Sequence, residues 1–244
     1  MGNNFQFVYN TPVATGTAST SHSSYPATNL TVYERTRMHW RSTVSTASWA
    51  QAAFSSATVR GVIFNDVNFT ACTVTASGGA VAKTTALDER VGRRKLIAVL
   101  DDVCAAIRID ISSQTPTDGI GVFRIGSIIP FTSRMEVIIN PSHPYAYSAD
   151  EPNATNDFES GGFSDRALGP RIWEGSFGFD YHPRTSESEI WTFNSILKSG
   201  NMGFYENMGD VGKCYFCRRR EPVKVSWIGY DYNRIESIKL KELY

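Results

Sequence analysis

Short runs in which apolar and polar side chains alternate constrain this chain more than any other feature. In the run Ala105–Ile111, charged residues alternate with Ile107, Ile109 and Ile111. Because successive side chains of a β-strand point to opposite faces of a sheet, the pattern predicts a strand with one buried face. Comparable runs recur along the chain at intervals of roughly 8–12 residues, which is typical of an antiparallel β-sandwich or jelly roll.

Eight other runs are predicted to be strands from alternation or from a continuous apolar stretch. They are Phe5–Tyr9, Thr58–Asn65, Phe69–Ala76, Leu96–Leu100, Val122–Ile129, Arg171–Tyr181, Val223–Trp227 and Arg234–Leu243. The charged run Asp88–Lys95 is expected to be exposed. The predicted fold class is therefore all-β, an antiparallel β-sandwich followed by a smaller β-rich C-terminal part.

Composition changes at Asn140, where proline, asparagine and glycine replace aliphatic residues. We therefore expect a sandwich over residues 1–139, a long connecting loop or arm over 140–170, and the C-terminal part over 171–244. One helix is predicted near 187–198, in the C-terminal part. Ser186 is placed to cap its start and Gly200 to end it, with apolar residues at helical spacing between them.

The charge balance limits the possible partners. Twenty-four basic and 24 acidic residues give no net charge, whereas a general nucleic-acid clamp needs a basic excess. Arginines greatly outnumber lysines, which weakly favours a subunit of an assembly. No apolar run is long enough for a transmembrane helix, and Met1–Asn10 does not resemble a secretory signal, so we expect no membrane insertion and synthesis in the cytoplasm.

No pattern in the sequence indicates catalysis, so we expect a protein that is not an enzyme and has no cofactor. The histidines at positions 22, 39, 143 and 182 are scattered and lack the spacing of metal ligands. Asp101 and Asp102 are adjacent in a predicted strand region, where neighbours point to opposite faces, so they form a poor acid–base pair.

Two short motifs leave several interpretations open. Cys214 and Cys217 are spaced as half of a metal or cluster site, which Cys72 and Cys104 would complete if the fold brought them together. We expect these cysteines to be inert buried thiols. A metal or cluster site is the second interpretation, and a redox pair is the third. The following run Arg218–Arg220 is interpreted as a solvated edge, with an interface or a phosphate contact as the alternatives.

The most informative segment combines Tyr25–Leu30 with Trp40–Ser42. Pro26 fixes an extended backbone, and Asn29 can close a turn by bonding to the backbone. The pattern resembles the start of discoidin-type, galactose-binding-like jelly rolls, in the version found in structural proteins of bacteriophage tails. The runs Val62–Phe69 and Arg108–Gly126 are similar to later strands of those proteins, so the resemblance covers about residues 20–135.

The resemblance implies a non-enzymatic structural protein of a phage tail, at the distal tail, tail tip or baseplate. Its expected partners are other tail subunits and copies of itself in a homo-oligomeric ring. Its expected location is the virion, after assembly in the host cytoplasm. The alternative is a carbohydrate-binding module that recognises a host-surface glycan, which exposed Trp and Tyr side chains would favour. A third hypothesis is an assembly protein that carries a metal or cluster.

Overall fold

The computed structural model describes most of the 244 residues, namely 5–33, 38–76, 79–80, 82–88, 93–137, 146–150, 153–157, 163–167, 172–183, 187–196, 201–205 and 214–243. Nearly all elements in these ranges are strands, and every strand pairing is antiparallel. The all-β fold class expected from alternation is therefore confirmed. The single α-helix among the described residues, α1, spans Glu187–Ile196 and matches the predicted helix near 187–198. Ser186 and Gly200, the expected caps, lie outside the described residues.

Two large sheets and two short two-stranded sheets contain all the strands of the described residues. The strands in the first half are β1 (Phe5–Tyr9), β2 (Ala14–Ala18), β3 (Trp40–Arg41), β4 (Ser48–Val67), β5 (Cys72–Ala76), β6 (Gly79–Ala80), β7 (Ala82–Asp88), β8 (Arg93–Ile111), β9 (Arg124–Ile125), β10 (Ser127–Phe131) and β11 (Ser133–Val137), with a 3-10 helix at Ala27–Thr31. Those in the second half are β12 (Ala146–Asp150), β13 (Asn153–Asp157), β14 (Phe163–Ala167), β15 (Ile172–Pro183), β16 (Asn201–Tyr205), β17 (Cys214–Arg219), β18 (Lys224–Trp227) and β19 (Tyr232–Glu242). The two short sheets are β3-β9 and β13-β14.

The first sheet is built around β4 and β8, which are 20 and 19 residues long. Its order is β10-β4-β8-β5-β6, with β2 also paired to β4 and β7 also paired to β8. The β4–β8 register runs from Ser48 opposite Ile111 to Val67 opposite Arg94, with three shifts on the way. One shift lies between Ala53 and Ala57, where the ladder is locally disrupted as in a β-bulge.

The second sheet has the order β11-β1-β16-β17-β19-β15-β12, with β18 paired to β19. Strands β1 and β11 come from the first 139 residues, yet they pair in the same sheet as the C-terminal strands. The expected boundary at residue 139 therefore cuts through a sheet. Sequence periodicity could not show this, because it identifies strands without identifying their partners.

The expected connecting loop over 140–170 contains three strands instead. Strand β12 pairs with β15 at the edge of the second sheet, and β13 and β14 pair with each other. These segments carry few aliphatic side chains, so they gave no strand signal in the sequence. Backbone hydrogen bonds hold a strand at a sheet edge without an apolar face of its own.

The predicted alternation around residue 109 is present in the core. Ile107, Ile109 and Ile111 are buried against the other apolar side chains of the first sheet. Arg108 and Asp110 are on the opposite face, where they form an ion pair with each other. The first sheet thus follows the period-2 pattern that the sequence predicted.

An apolar cluster between the two sheets joins them into a sandwich. It contains Val8 of β1, Ile63 of β4, Ile97 of β8, Phe131 of β10 and Tyr205 of β16, together with Cys214 and Phe216 of β17. A Cβ on Gly203 would lie 2.7 Å from Val8 Cγ2 and 3.1 Å from Ile63 Cδ1. The glycine therefore permits the two sheets to approach closely at this point.

A buried ion pair lies beside this cluster. Lys95 Nζ donates to Glu242 Oε1 at 3.0 Å and to the Cys214 carbonyl oxygen at 3.5 Å. The backbone N–H of Trp173 donates to Glu242 Oε2 at 3.2 Å. The expectation that Asp88–Lys95 is exposed is therefore wrong for Lys95, which is 5% exposed. Its charge is compensated by a residue of the last strand, so it can stay buried.

Tyr33 gives a testable dependence on pH. Its hydroxyl is buried without a hydrogen-bond partner in the described structure, and burial raises its pKa to about 12. In the unfolded chain the Tyr33 hydroxyl ionises near pH 10, whereas in the folded protein it ionises only near pH 12. The contribution of Tyr33 to stability is therefore fully present below about pH 10 and is lost as the pH rises towards 12. We expect Tyr33→Phe to reduce the alkaline loss of unfolding free energy by about 2–3 kcal/mol. Urea unfolding at a series of pH values between about 9 and 12 measures this.

At neutral pH the same variant is expected to be as stable as the wild type or slightly more stable. The substitution removes a buried hydroxyl that makes no hydrogen bond, and it keeps the ring. Burial also raises the pKa of Tyr205, so part of the alkaline loss stays in the variant. Equal alkaline losses in wild type and variant would contradict the assignment to Tyr33.

Within the described part of the chain, no helix combines the length and the apolar character needed to cross a membrane.

Candidate functional site

The segment singled out by the sequence forms a compact layer at one end of the first sheet. The 3-10 helix Ala27–Thr31 buries Asn29 and Leu30. The Asn29 side-chain Nδ2 donates to the carbonyl oxygen of His39 at 3.0 Å, so it links the helix to the strand that begins at Trp40. Trp40 is fully buried, and its Nε1 donates to the Thr20 carbonyl oxygen at 2.9 Å. The structure therefore brings together the two halves of the motif.

Ser42 connects this layer to the segment that leads into β9. Strand β3 pairs with β9, which places Trp40 opposite Ile125. The backbone N–H of Phe123 donates to Ser42 Oγ at 2.9 Å, and Ser42 Oγ donates to the Val44 carbonyl oxygen at 2.6 Å. Since Asn29, Leu30, Trp40 and Ser42 are all buried, these positions of the motif stabilise the fold.

The outer side of the motif is an aromatic and cationic stack. The ring of Tyr25 stacks on His39 at 4.5 Å between centroids, and the Arg41 guanidinium lies 4.1 Å from the Tyr25 centroid. Arg41 Nε donates to His39 Nε2 at 2.7 Å. Arg41 is thus held by two neighbours, Tyr25 and His39.

A buried polar network, which sequence reasoning missed, lies next to this stack. Arg124 contacts Asp66 at 2.9 Å and Asp118 at 3.3 Å. Asn68 Nδ2 donates to Asp118 Oδ1 at 3.0 Å, and Asn68 Oδ1 accepts from the Arg124 backbone N–H at 2.7 Å. The backbone of Asp66 is in the left-handed region, with a φ of 55°. Three separate segments meet in this network, so no local spacing in the sequence indicated it.

The four cysteines are not arranged as one ligand set. Cys214 faces the cluster between the two sheets, and Cys217 faces the separate cluster on the other side of β17. On a strand, residues three apart point to opposite faces, so this Cys-x-x-Cys cannot present two thiols to one ion. Cys72 and Cys104 lie in the core of the first sheet. Among the described residues, no group of three His, Cys, Asp or Glu side chains is placed to hold a metal ion.

We expect Cys214→Ala and Cys217→Ala together to leave a soluble, folded protein. Both thiols are buried, so the loss is a small cavity at each site, about 1 kcal/mol apiece. Thermal melting and metal analysis of anaerobically purified protein check this. Stoichiometric zinc or iron, lost together with the fold in the double variant, would contradict it, because structural metal binding supplies folding energy.

The Arg218–Arg220 run does not behave as one solvated edge. Arg219 is buried, and its Nη1 donates to the Asn194 side-chain oxygen on α1 at 2.6 Å. Arg220 is exposed and contacts Glu174 at 3.1 Å. The strand alternation separates them, so the interpretation as a solvated edge is wrong for Arg219. This residue instead attaches the helix to the second sheet.

Within the part of the chain that the structure describes, the remaining candidates do not converge on a reaction centre. Asp101 pairs with Arg60 at 2.5 Å and with Arg134 at 3.1 Å, and the hydrogen bond from Arg60 lowers the pKa of Asp101. Asp102 accepts from the Val103 backbone N–H at 2.8 Å. His22 Nδ1 accepts from the Ser24 backbone N–H, His182 is in β15, and His143 lies outside the described residues.

The turn between β18 and β19 carries an exposed aromatic group, which we call the aromatic tip (Trp227–Tyr232). Its backbone closes when the Ile228 N–H donates to the Tyr232 carbonyl oxygen at 3.1 Å. Trp227 is 69% exposed, Tyr230 87% and Tyr232 46%. The sequence predicted a strand ending at Trp227 but did not predict that these aromatic side chains are exposed. The aromatic residues clustered around Gly229 were a signal from which an exposed turn could have been predicted.

A groove on the outer face of the first sheet is the second exposed feature. This β4–β8 groove lies beside the register shift at Ala53 and Ala57 and has a volume of about 490 Å³. Its lining includes Gln51, Thr75, Val103, Cys104, Ala106 and Arg108. Val103 is 59% exposed, and the Arg108 guanidinium lies 4.6 Å from the Trp49 ring centroid. Burial raises the pKa of Cys104, so its thiol stays protonated at neutral pH.

Comparison with known proteins adds little to these observations. The chain matches no protein-family model and no curated protein sequence. Among solved structures, it is similar to a chain in the X-ray structure of reduced XRCC1 bound to the DNA pol beta catalytic domain. The two chains are 13% identical with a TM-score of 0.38, over 52% of this chain and 99% of the other. A likeness at this level transfers neither a partner nor an activity.

Proposed function

We propose that this chain is a non-enzymatic structural subunit of a bacteriophage tail, at the distal tail, tail tip or baseplate. It works by binding copies of itself and neighbouring tail subunits, within virions assembled in the host cytoplasm. The observation that carries the proposal is the aromatic tip. Of nine large apolar side chains that are exposed in the described structure, four lie in these six consecutive residues.

An exposed group of this kind is characteristic of protein interfaces. Contiguous apolar surface on a soluble protein marks an interaction site, and Trp and Tyr are enriched at the centres of interfaces. The excess of arginine over lysine agrees with the same use. The resemblance of Tyr25–Leu30 and Trp40–Ser42 to tail proteins supplies the biological setting of the proposal. The structure gives these motif residues a role in stability, which a structural subunit also requires.

A carbohydrate-binding module is the second candidate, because Trp227, Tyr230 and Tyr232 are exposed aromatic rings of the kind that stack on sugars. The strand register weakens this candidate. Trp227 pairs with Asn233, which is buried in the second sheet, and Tyr232 is the preceding residue with the opposite orientation. Aromatic side chains on both faces of a hairpin suit insertion between protein surfaces better than a flat platform for a glycan.

Immunogold labelling tests the proposal directly. Antibodies raised against the purified chain are expected to label the tails of phage particles that encode it, in symmetric positions. Light scattering of the purified chain is expected to give a mass of several copies. A strictly monomeric chain that is absent from purified particles would overturn the proposal. Specific retention by a host-surface glycan, lost in Trp227→Ala without a change in mass or melting, would favour the carbohydrate-binding alternative.

A further inference from the structure

We infer that the outer edge of β18 binds an extended, acidic segment of a neighbouring polypeptide as an added strand. Among the described residues, β18 pairs with β19 alone, so no described strand lies along its other edge. The inference rests on the proposed function for the source of the segment, which is a neighbouring tail subunit. It deepens that function by naming the surface that is bound and the chemistry that binds it.

The hydrogen bond that closes the aromatic tip shows which backbone groups of β18 face outwards. The Ile228 N–H donates to the carbonyl oxygen of Tyr232, the first residue of β19, so the backbone groups of Ile228 face β19. Along an antiparallel strand, the N–H and C=O of one residue point to one edge and those of the next residue point to the other. Val225 and Val223 are an odd number of positions from Ile228, so their backbone groups face away from β19.

The contacts of Val223 agree with this orientation. Its N–H donates to Asn194 Oδ1 at 3.2 Å, and its carbonyl oxygen accepts from Asn194 Nδ2 at 3.4 Å. One side-chain amide of α1 thus occupies the place that the backbone of an adjacent strand would take. The next outward pair, the N–H and C=O of Val225, has no partner in the described part of the chain. A donor and an acceptor side by side on a strand edge are matched by the backbone of another extended segment.

Two cations beside this edge determine the charge of the segment. Arg219 is 8% exposed, and its Nη1 donates at 2.6 Å to the same Asn194 Oδ1 that accepts from Val223. Because the two donors share one acceptor, the guanidinium lies at the start of the open edge. Lys224 is exposed on β18 itself. Neither cation contacts a carboxylate within the residues that the structure describes.

An acidic side chain on the added strand would relieve an unfavourable arrangement at Arg219. The described hydrogen bonds of this buried guanidinium go to the neutral oxygens of Asn194, and burial lowers the pKa of Arg219. A buried charge without a counter-ion is costly. A carboxylate that reaches it supplies the missing charge and accepts charge-assisted hydrogen bonds, which are stronger than neutral ones. We therefore expect Asp or Glu at the position of the segment that lies nearest to Val223.

Titration with a synthetic peptide tests the site on the full chain. The probe is a capped heptapeptide of alternating Val and Thr with one Glu next to its C-terminal end, which antiparallel pairing brings beside Arg219. We expect saturable binding with a dissociation constant below about 1 mM, and slower hydrogen exchange of the outward Val225 amide. The same peptide methylated on alternate backbone nitrogens is the matched control, and we expect it to bind at least about tenfold more weakly.

Variants of the chain separate backbone pairing from charge. Val225→Pro removes the outward N–H and is compatible with an edge strand, so the dissociation constant is expected to rise at least about tenfold. Val225→Thr keeps the N–H and is expected to stay within about twofold of the wild type. Replacing the Glu of the peptide with Gln is expected to weaken binding to the wild type but not to Arg219→Gln. Lys224→Gln, at an exposed position, tests the charge without loss of the α1 contact, and melting curves show that each variant is folded.

The outcomes distinguish this inference from the proposed function. Equal binding by the wild type and Val225→Pro, or no saturable binding up to about 5 mM peptide, overturns the inference, while labelled tails leave the proposed function standing. Specific binding to a chain that is absent from particles supports the edge site and overturns the tail assignment. A mass of several copies that falls in Val225→Pro, without peptide binding, shows that a second copy occupies the edge and overturns the inference.

Discussion

Replacing Glu242 with alanine is expected to lower the free energy of unfolding by about 3–5 kcal/mol, among the largest single effects in the molecule. Lys95 and Glu242 have 6% and 1% of their side chains exposed, so the variant leaves a cation between the two sheets without its counter-ion. The Trp173 backbone N–H loses its acceptor as well. Urea unfolding followed by tryptophan fluorescence measures the change.

Two controls identify burial as the cause. Glu221→Ala breaks an exposed ion pair with Lys239 on the same strand as Glu242, and we expect it to cost at most about 1 kcal/mol. Replacing both buried partners, Lys95→Met with Glu242→Leu, is expected to be nearly neutral or stabilising, because no uncompensated charge stays buried. A loss below about 1 kcal/mol in Glu242→Ala would contradict the buried pairing.

Trp40→Ala is expected to destabilise the protein by about 3–5 kcal/mol. The indole is fully buried among the apolar side chains of the first sheet, so the variant creates a cavity. It also removes the hydrogen bond from Nε1 to the Thr20 carbonyl oxygen. Asn29→Ala is expected to cost about 1–3 kcal/mol, because the carbonyl of His39 loses its donor. Thermal and urea unfolding of each variant provide the values.

The double variant Asn29→Ala with Trp40→Ala is expected to lose less than the sum of the single losses. Asn29 holds the residue that precedes Trp40, so removing either member already loosens the other, with a coupling of about 0.5–3 kcal/mol. Trp191→Ala on the exposed face of α1 is the size-matched control, with an expected change of about 0.5 kcal/mol. Strict additivity would refute the joint structural role.

The sequence was sufficient for the strands that carry a strong apolar pattern. Ile109 and its neighbours predicted a buried face, and Ile190 with its helical spacing predicted α1, because these signals depend on local periodicity alone. Strands β12 to β14 were missed because their sequences contain few aliphatic residues, whereas backbone pairing is open to every residue type.

The features that depend on distant partners were beyond the same reasoning. From the sequence alone Lys95 is predicted to be exposed, because its partner Glu242 is 147 positions away along the chain. The spacing of Cys214 and Cys217 indicates a pair of metal ligands. In the structure both lie on strand β17, where residues three apart point to opposite faces. The aromatic tip was predicted only as the end of a strand, because exposure depends on where the sheet stops.

The position of β1 in the second sheet also governs how the chain is made. One side of β1 pairs with β11, but its other partner, β16, is near the C-terminal end, so that Phe7 lies opposite Phe204. At about 5–20 residues per second, a ribosome takes about 10–40 s to synthesise the intervening chain. During that time β1 presents an open hydrogen-bonding edge to other nascent chains. Slowed elongation after β11 is therefore expected to increase aggregation of the newly made protein.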